Sequence, residues 1–222
     1  MNKMKTAVII CAGGIGKRME AGKPKQFLEL ADGTPILRKT VDVFRGMSSA
    51  ADVIVVTSPE GFEYDTECIV NKDIEGDGKA FVITGGNERQ DSVKNALEFL
   101  ESKGFDDDDI VLIHDGARPF ITEEIIEGVR KAACEHEAAI AAVPVKDTIR
   151  DAENGTLDRS RLYAVQTPQG FRFGLILGAV IHACADGFYG TDDGSLAERE
   201  GVMPVIVEGS YGNIKITTPE DL

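Results

Sequence analysis

Six short apolar runs punctuate this chain, at residues 6–10, 53–57, 81–84, 110–114, 138–143 and 205–208. Runs of this kind read as strands, and the first, Ala7-Val8-Ile9-Ile10, reads as a parallel strand buried on both faces. The stretches between them repeat at helical spacing. With Thr34 as a cap and Pro35 at the first helical position, Ile36, Leu37, Thr40, Val41 and Phe44 fall on one face. Val93, Ala96, Leu97 and Leu100 form a second stripe, and Thr122 caps a third helix carrying Ile125, Ile126 and Val129. Leu175, Ile176, Ala179 and Val180 mark a fourth. Strand–helix alternation of this kind predicts an α/β sandwich around a mainly parallel sheet. Such sheets take ligands beyond the carboxyl ends of their strands.

The alternation breaks between Val145 and Gln166. Lys146-Asp147-Thr148-Ile149-Arg150 reads as an extended segment, Glu153-Asn154-Gly155 as a hairpin turn, and Arg161-Leu162-Tyr163-Ala164-Val165 as the return. The chain is thus expected to be one domain over residues 1–222 with a β-arm at about 145–166. An arm this long needs something to pack against, and a second subunit is the natural candidate. The aspartate run 106–109 reads as a solvated loop before a strand.

A hydrophobic fraction of 42% and a charged fraction of 28% are ordinary for a globular chain. The net charge of −14 argues against a nucleic-acid surface, which needs a broad basic patch. It leaves room for a nucleotide site, where a few cations in a cleft suffice. Cys11, Cys68, Cys134 and Cys184 are far apart and form no Cys-x-x-Cys pair, which points to reduced thiols in the cytoplasm. Lys3 and Lys5 before the first apolar run give it the look of a signal peptide, but the run is too short. No stretch is long enough to be read as a membrane span.

The candidate chemistry starts where the first strand ends. Ala12-Gly13-Gly14-Ile15-Gly16-Lys17-Arg18-Met19 is followed by Pro24-Lys25-Gln26. Glycines at a strand end let the backbone turn sharply and aim N–H groups at phosphate oxygens. Arg18 and Lys25 add two cations, and Pro24 stiffens the approach to Lys25. Two commoner glycine motifs are excluded. A dinucleotide fingerprint needs glycine where Met19 stands, and a Walker A loop needs Ser or Thr where Arg18 stands and glycine where Cys11 stands. A plain strand-to-helix turn with surface cations is the bland alternative, and the Arg18…Pro24-Lys25 extension weighs against it.

Further along, Gly85-Gly86-Asn87-Glu88-Arg89-Gln90-Asp91-Ser92 follows a strand and opens a helix. Asn87 and Ser92 offer neutral hydrogen bonds suited to a base or ribose, although a helix cap explains Asn87 equally well. His114-Asp115-Gly116-Ala117-Arg118-Pro119 ends another strand. Asp115 is placed to hold Mg²⁺ directly or through water, and His114 reads as a packed strand residue. In Thr191-Asp192-Asp193-Gly194-Ser195 the aspartates read as helix caps or site residues. Asn213-Ile214-Lys215-Ile216-Thr217 reads as a short final strand whose apolar neighbours favour a cleft position for Lys215.

These segments, with Val143-Pro144-Val145-Lys146-Asp147-Thr148-Ile149, Gln166-Thr167-Pro168-Gln169 and Pro219-Glu220-Asp221-Leu222, resemble the 2-C-methyl-D-erythritol 4-phosphate cytidylyltransferase family in order over nearly the whole chain. The resemblance implies a Rossmann-like nucleotidyltransferase that dimerises by exchanging arms. It also implies roles for individual residues. Arg18 and Lys25 would be catalytic, stabilising the transition state. Ala12, Gly13, Gly14, Gly16, Gly86, Asn87 and Ser92 would hold CTP, with Lys25, Arg118, Thr167 and Lys215. Thr148 and Arg159 of a partner's arm, with Thr191 and Lys215, would bind the acceptor, and Asp115 the metal. A helix starting at Thr218-Pro219-Glu220 is usually completed further on in the family.

The expected reaction is transfer of a cytidylyl group from CTP to a polyol phosphate, with Mg²⁺ as cofactor and neither nucleic acid nor membrane as partner. Two other readings stand beside it: a ribitol-5-phosphate cytidylyltransferase, and a non-catalytic nucleotide-binding module. The joint presence of Arg18, Lys25, Asp115 and Lys215 weighs against the module.

Overall fold

The computed structural model describes residues 4–14, 24–47 and 51–222. Strands β1 (Thr6–Cys11), β2 (Val53–Ser58), β3 (Phe81–Thr84), β4 (Ile110–Asp115), β5 (Ala138–Pro144), β8 (Tyr163–Arg172) and β9 (Val205–Glu208) form one seven-stranded sheet in the order β3-β2-β1-β4-β8-β5-β9. Two short strands, β6 (Arg150–Asp151) and β7 (Gly155–Thr156), pair separately. Helices α1 (Ile36–Arg45), α2 (Glu63–Val70), α3 (Arg89–Ser102), α4 (Glu123–His136), α5 (Phe173–Ala185) and α6 (Asp193–Arg199) complete the set.

The pairs β1–β2, β2–β3, β1–β4 and β5–β9 are parallel, while β8 runs antiparallel to both β4 and β5. Alternate residues of each buried strand face opposite layers. Val8 and Ile10 of β1 pack in one core with Leu37, Val41 and Phe44 of α1 and Ile126 and Val129 of α4. Ala7 and Ile9 pack in the other with Val93, Leu97 and Leu100 of α3 and Ile176 and Val180 of α5. The chain leaves β1 toward β2 through one layer and returns to β4 through the other. The strand order therefore reverses between β1 and β4, which opens a crevice at their carboxyl ends.

All six apolar runs are strands of the sheet, and all four apolar stripes are inward helix faces, buried throughout except for the half-buried Leu175. Local details differ from the sequence expectation. The first helix starts at Ile36, with Pro35 in the cap position instead of Thr34. Thr122 does precede α4, but its side chain makes no capping hydrogen bond. The return from the arm runs on as β8 to Arg172, with a register shift opposite Ile140 and Ala142. Asp109 is buried and accepts from the Lys5 and Asp106 backbone N–H groups, so the 106–109 run is solvated only in part. Residues 213–217 form an irregular strap, not a strand, held by the Ile216 N–H donating to the Ala117 carbonyl at 2.9 Å. Beyond it, Pro219–Asp221 forms a single 3-10 turn.

The arm turns at Asn154-Gly155, with Gly155 at φ +86°. The Asp151 carboxylate accepts from the Glu153 N–H at 2.9 Å and from the Asn154 N–H at 2.5 Å. That local bonding is what an Asx-type turn provides.

Candidate functional site

Two adjoining cavities open at the crevice. The first, of about 280 Å³, is lined by Ala12, Gly13, Gly14 and Lys25, by Gly86, Asn87 and Ser92 of the second glycine loop, and by Arg89, Asp115 and Lys215. The second, of about 330 Å³, is lined by Arg118, Thr167, Gln169, Thr191 and Asp192, again with Arg89, Asp115 and Lys215. Arg89, Asp115 and Lys215 therefore form the junction between two chambers.

β1 and β4 deliver the floor of the first chamber. The Ala12 N–H donates to Thr57 and its carbonyl accepts from the Gln26 side-chain amide, so among the described residues of this turn the N–H groups left for a ligand are those of Gly13 and Gly14. Ser92 shapes the second loop. Its hydroxyl accepts from the Gly86 N–H at 2.9 Å and donates to the Glu88 carbonyl at 3.2 Å. Glycine is required at position 86, because a Cβ there would lie 2.2 Å from that of Asp91. The cap of α3 is Glu88, in a reciprocal box with Asp91, which leaves Asn87 on the cavity wall.

Lys25 opens a 3-10 turn, Lys25–Phe27, and its Nζ donates to the Ile216 carbonyl at 2.9 Å. That contact ties the lysine to the same strap that carries Lys215. Gly16 and Arg18 lie outside the described residues.

The junction is an ion cluster. Lys215 Nζ lies 2.9 Å from Asp115 Oδ2, Arg118 Nε lies 3.5 Å from the same oxygen, and Arg89 Nε lies 3.4 Å from Oδ1. Arg89 also grips Asp193 with both guanidinium ends, at 2.9 and 2.6 Å. Burial alone would push the Asp115 carboxyl up, but Arg89, Lys215 and Arg118 outweigh it and hold the group well below the usual carboxylate range. Burial likewise works against the charge on Arg89, and Asp193 leads the neighbouring groups, Asp115 among them, that together more than offset it. Three cations against two carboxylates leave the junction net positive, on a chain of net charge −14. Cys11 also lines the first chamber, but burial pushes its thiol up to about 12, so it is no thiolate nucleophile.

Arg118 and Thr167, grouped with CTP by resemblance, line the second chamber beside Thr191. Arg118 donates to the Asn213 carbonyl at 2.7 Å, and Asn213 donates to the Thr167 carbonyl at 2.9 Å, which clamps the strap to β8. Thr148 and Arg159 line neither chamber of their own chain. Both are exposed on the arm, where Arg159 donates to the Lys146 carbonyl at 2.6 Å.

Sequence reasoning assigns no role to Arg89 or Gln169 and leaves that of Asp193 open. Arg89 stands inside the Gly85–Ser92 segment, but its bidentate partner is 104 residues away. Of the two roles open to Asp192 and Asp193, the capping falls to Asp192, whose carboxylate accepts from the Ser195 N–H, and Asp193 is buried against Arg89. Gln169 donates to the Asp192 carboxylate and accepts from the Gly194 N–H, both at 2.8 Å, seating α6 on the sheet.

Residues 6–222 match the family model described as 2-C-methyl-D-erythritol 4-phosphate cytidylyltransferase (IspD). The chain is 47% identical over 219 residues to the enzyme so named from Bacillus cereus, covering 97% of this chain and 93% of that one. It is 42% identical over 227 residues to the one from Geotalea uraniireducens, covering 99% and 94%. Among solved structures, it superposes on the Francisella tularensis 2-C-methyl-D-erythritol 4-phosphate cytidylyltransferase with a TM-score of 0.82 at 31% identity, covering 98% and 96% of the two chains. The 4-diphosphocytidyl-2C-methyl-D-erythritol synthase of Anaerococcus prevotii gives 0.82 at 32% identity, covering 98% and 92%.

Proposed function

Since the chain belongs to the 2-C-methyl-D-erythritol 4-phosphate cytidylyltransferase family, we propose that it transfers a cytidylyl group from CTP to 2-C-methyl-D-erythritol 4-phosphate. The products are pyrophosphate and 4-diphosphocytidyl-2-C-methyl-D-erythritol. The observation that carries this reading is the shared wall of Arg89, Asp115 and Lys215 between two cavities. A two-substrate transfer needs two adjoining sites that meet at a positive centre. The family match favours this acceptor over ribitol-5-phosphate.

In this reading, the N–H groups of Gly13 and Gly14 and the loop at Gly86, Asn87 and Ser92 hold CTP in the first chamber, and Ala12 and Gly16 are assigned to CTP with them. Arg118, Thr191 and Thr167 take the acceptor in the second. An oxygen of the acceptor phosphate attacks the α-phosphorus of CTP in line. A new P–O bond forms as the bond to pyrophosphate breaks, and no covalent bond to the enzyme is needed. Lys25 and Arg18 offset charge that grows on the α-phosphate and the departing pyrophosphate. Lys215, fixed by Asp115, reaches both chambers and aligns the two phosphates.

Mg²⁺ is the proposed cofactor. Among the described residues, no group of three or more His, Cys, Asp and Glu side chains is arranged to hold a metal ion. The donor set therefore fits an ion carried mainly by the triphosphate, and Asp115 Oδ1, with its long 3.4 Å contact to Arg89, is the candidate protein ligand. The ion would neutralise part of the phosphate charge.

A homodimer is proposed as the working unit of a single nucleotidyltransferase domain spanning 1–222. Ile149 and Leu157 of the arm and Tyr163 and Val165 at the start of β8 are exposed apolar side chains, which suits a segment that another subunit covers. Among the described residues no helix is long and apolar enough to cross a membrane. With CTP as substrate and four free cysteines, the cytoplasm is the proposed compartment.

Pyrophosphate release tests the proposal. It is expected to require CTP, the acceptor and a divalent ion together, with Mg²⁺ sufficient. CTP bound tightly without release on any acceptor would favour a binding module, and full activity in excess chelator would remove the metal.

A further inference from the structure

His114 ends β4 fully buried, packed edge-on against Phe44 with ring centroids 5.0 Å apart. Each ring nitrogen faces one partner. Nε2 lies 3.2 Å from the Arg118 carbonyl, which can accept but not donate, so Nε2 carries the proton. Full burial disfavours the charged ring, and a neutral ring with its proton on Nε2 has a bare Nδ1. Nδ1 is then a lone-pair acceptor, and it lies 3.1 Å from Thr167 Oγ1. Thr167 Oγ1 in turn accepts from the Asp115 N–H at 3.1 Å. The result is a directed chain: the Asp115 N–H to the Thr167 hydroxyl, that hydroxyl to His114 Nδ1, and His114 Nε2–H to the Arg118 carbonyl.

We infer that His114 is a positioning residue that acts through Thr167, orienting its hydroxyl so that Thr167 meets the acceptor substrate solely as a hydrogen-bond acceptor. This rests on the reading of the second chamber as the acceptor site. A threonine hydroxyl has one proton and two lone pairs. The proton is committed to Nδ1 and one lone pair to the Asp115 N–H, so what remains for the chamber is a single lone pair. That remainder complements a polyol hydroxyl, which can donate, and repels a fully ionised phosphate oxygen, which cannot. Phosphate recognition in the chamber is left to Arg118 and Lys215, and Thr167 reads the carbon chain of the acceptor. The same imidazole fixes three residues that line the chamber: Asp115 and Thr167 on one side, and Arg118 through its carbonyl on the other.

Nitrogen-15 NMR of histidine-labelled protein tests the tautomer directly. The chain has three histidines, and His136 and His182 are exposed. The expected spectrum shows one buried ring with Nε2 protonated and Nδ1 bare, and Thr167→Val moves that Nδ1 signal toward the value of a free lone pair. A protonated Nδ1, or a signal indifferent to Thr167→Val, overturns the inference.

Kinetics tests the consequence. His114→Gln keeps a donor near the Arg118 carbonyl but removes the acceptor at Nδ1, whereas His114→Asn supplies an acceptor there. We expect His114→Gln to raise the acceptor KM about tenfold with CTP affinity within about twofold, and His114→Asn to recover most of the loss. In a Thr167→Val background, His114→Gln should add less than about twofold, because its route of action is already gone. Equal losses in the two variants, or an undiminished effect in that background, contradict the inference. If His114→Gln does not fold, the wild-type and Thr167→Val spectra still decide it. Wild-type protein that transfers nothing to the acceptor would sink the functional reading instead, leaving the tautomer measurement intact.

Discussion

Replacing Lys25 with alanine is expected to lower kcat by more than about a hundredfold while CTP affinity falls much less, because fixed charge aimed at a transition state contributes roughly 3 kcal/mol or more. The expectation follows from how the lysine is held. Pro24 precedes it, a 3-10 turn starts with it, and the Ile216 carbonyl accepts a hydrogen bond from its Nζ at 2.9 Å. A lysine so tethered loses little freedom when the reaction begins, and it lines the chamber that also holds Gly13 and Gly14. Ground-state binding is shared with the backbone loops, so removing one cation weakens it modestly. Steady-state rates paired with calorimetric CTP titration separate the two effects. A variant with near-normal kcat would take Lys25 out of the mechanism.

Arg159→Ala should have an equally large effect by a different route, raising the acceptor KM or lowering turnover and leaving CTP affinity nearly unchanged. Arg159 lines neither chamber of its own chain and stands exposed on the arm. If the arm crosses a two-fold axis, it serves the other subunit's second chamber. Mixing Arg159→Ala protein with inactive Lys25→Ala protein should then restore activity, since one site of each mixed dimer combines an intact Lys25 with an intact partner Arg159. Failure to complement, with subunit exchange confirmed independently, would mean that each site is built from one chain.

Much of this architecture is legible in the sequence because strands buried on both faces are apolar throughout and their helices carry narrow apolar stripes. β8 escapes that logic. Its middle, Gln166-Thr167-Pro168-Gln169-Gly170, is buried yet polar, and a proline in a run argues against a central strand. The burial is tolerated because distant partners satisfy the polar groups: Gln166 binds the Ser210 carbonyl, and Gln169 binds Asp192 and Gly194. Helix α2 shows no apolar stripe, burying just Thr66 and Val70. The glycine loops, Lys25, Asp115 and Lys215 are readable because their local spacing carries the chemistry. The Arg89–Asp193 pair and the His114–Thr167 bond are not, because only the folded chain brings those partners together.

Cytidylyl transfer to this acceptor is tested most directly by phosphorus NMR of purified protein supplied with CTP, Mg²⁺ and either 2-C-methyl-D-erythritol 4-phosphate or ribitol-5-phosphate. The methylerythritol monophosphate signal is expected to give way to a coupled pair of diphosphate signals, matched mole for mole by pyrophosphate, with ribitol-5-phosphate far slower. Faster turnover of ribitol-5-phosphate, or pyrophosphate released without any diphosphate product, would contradict it.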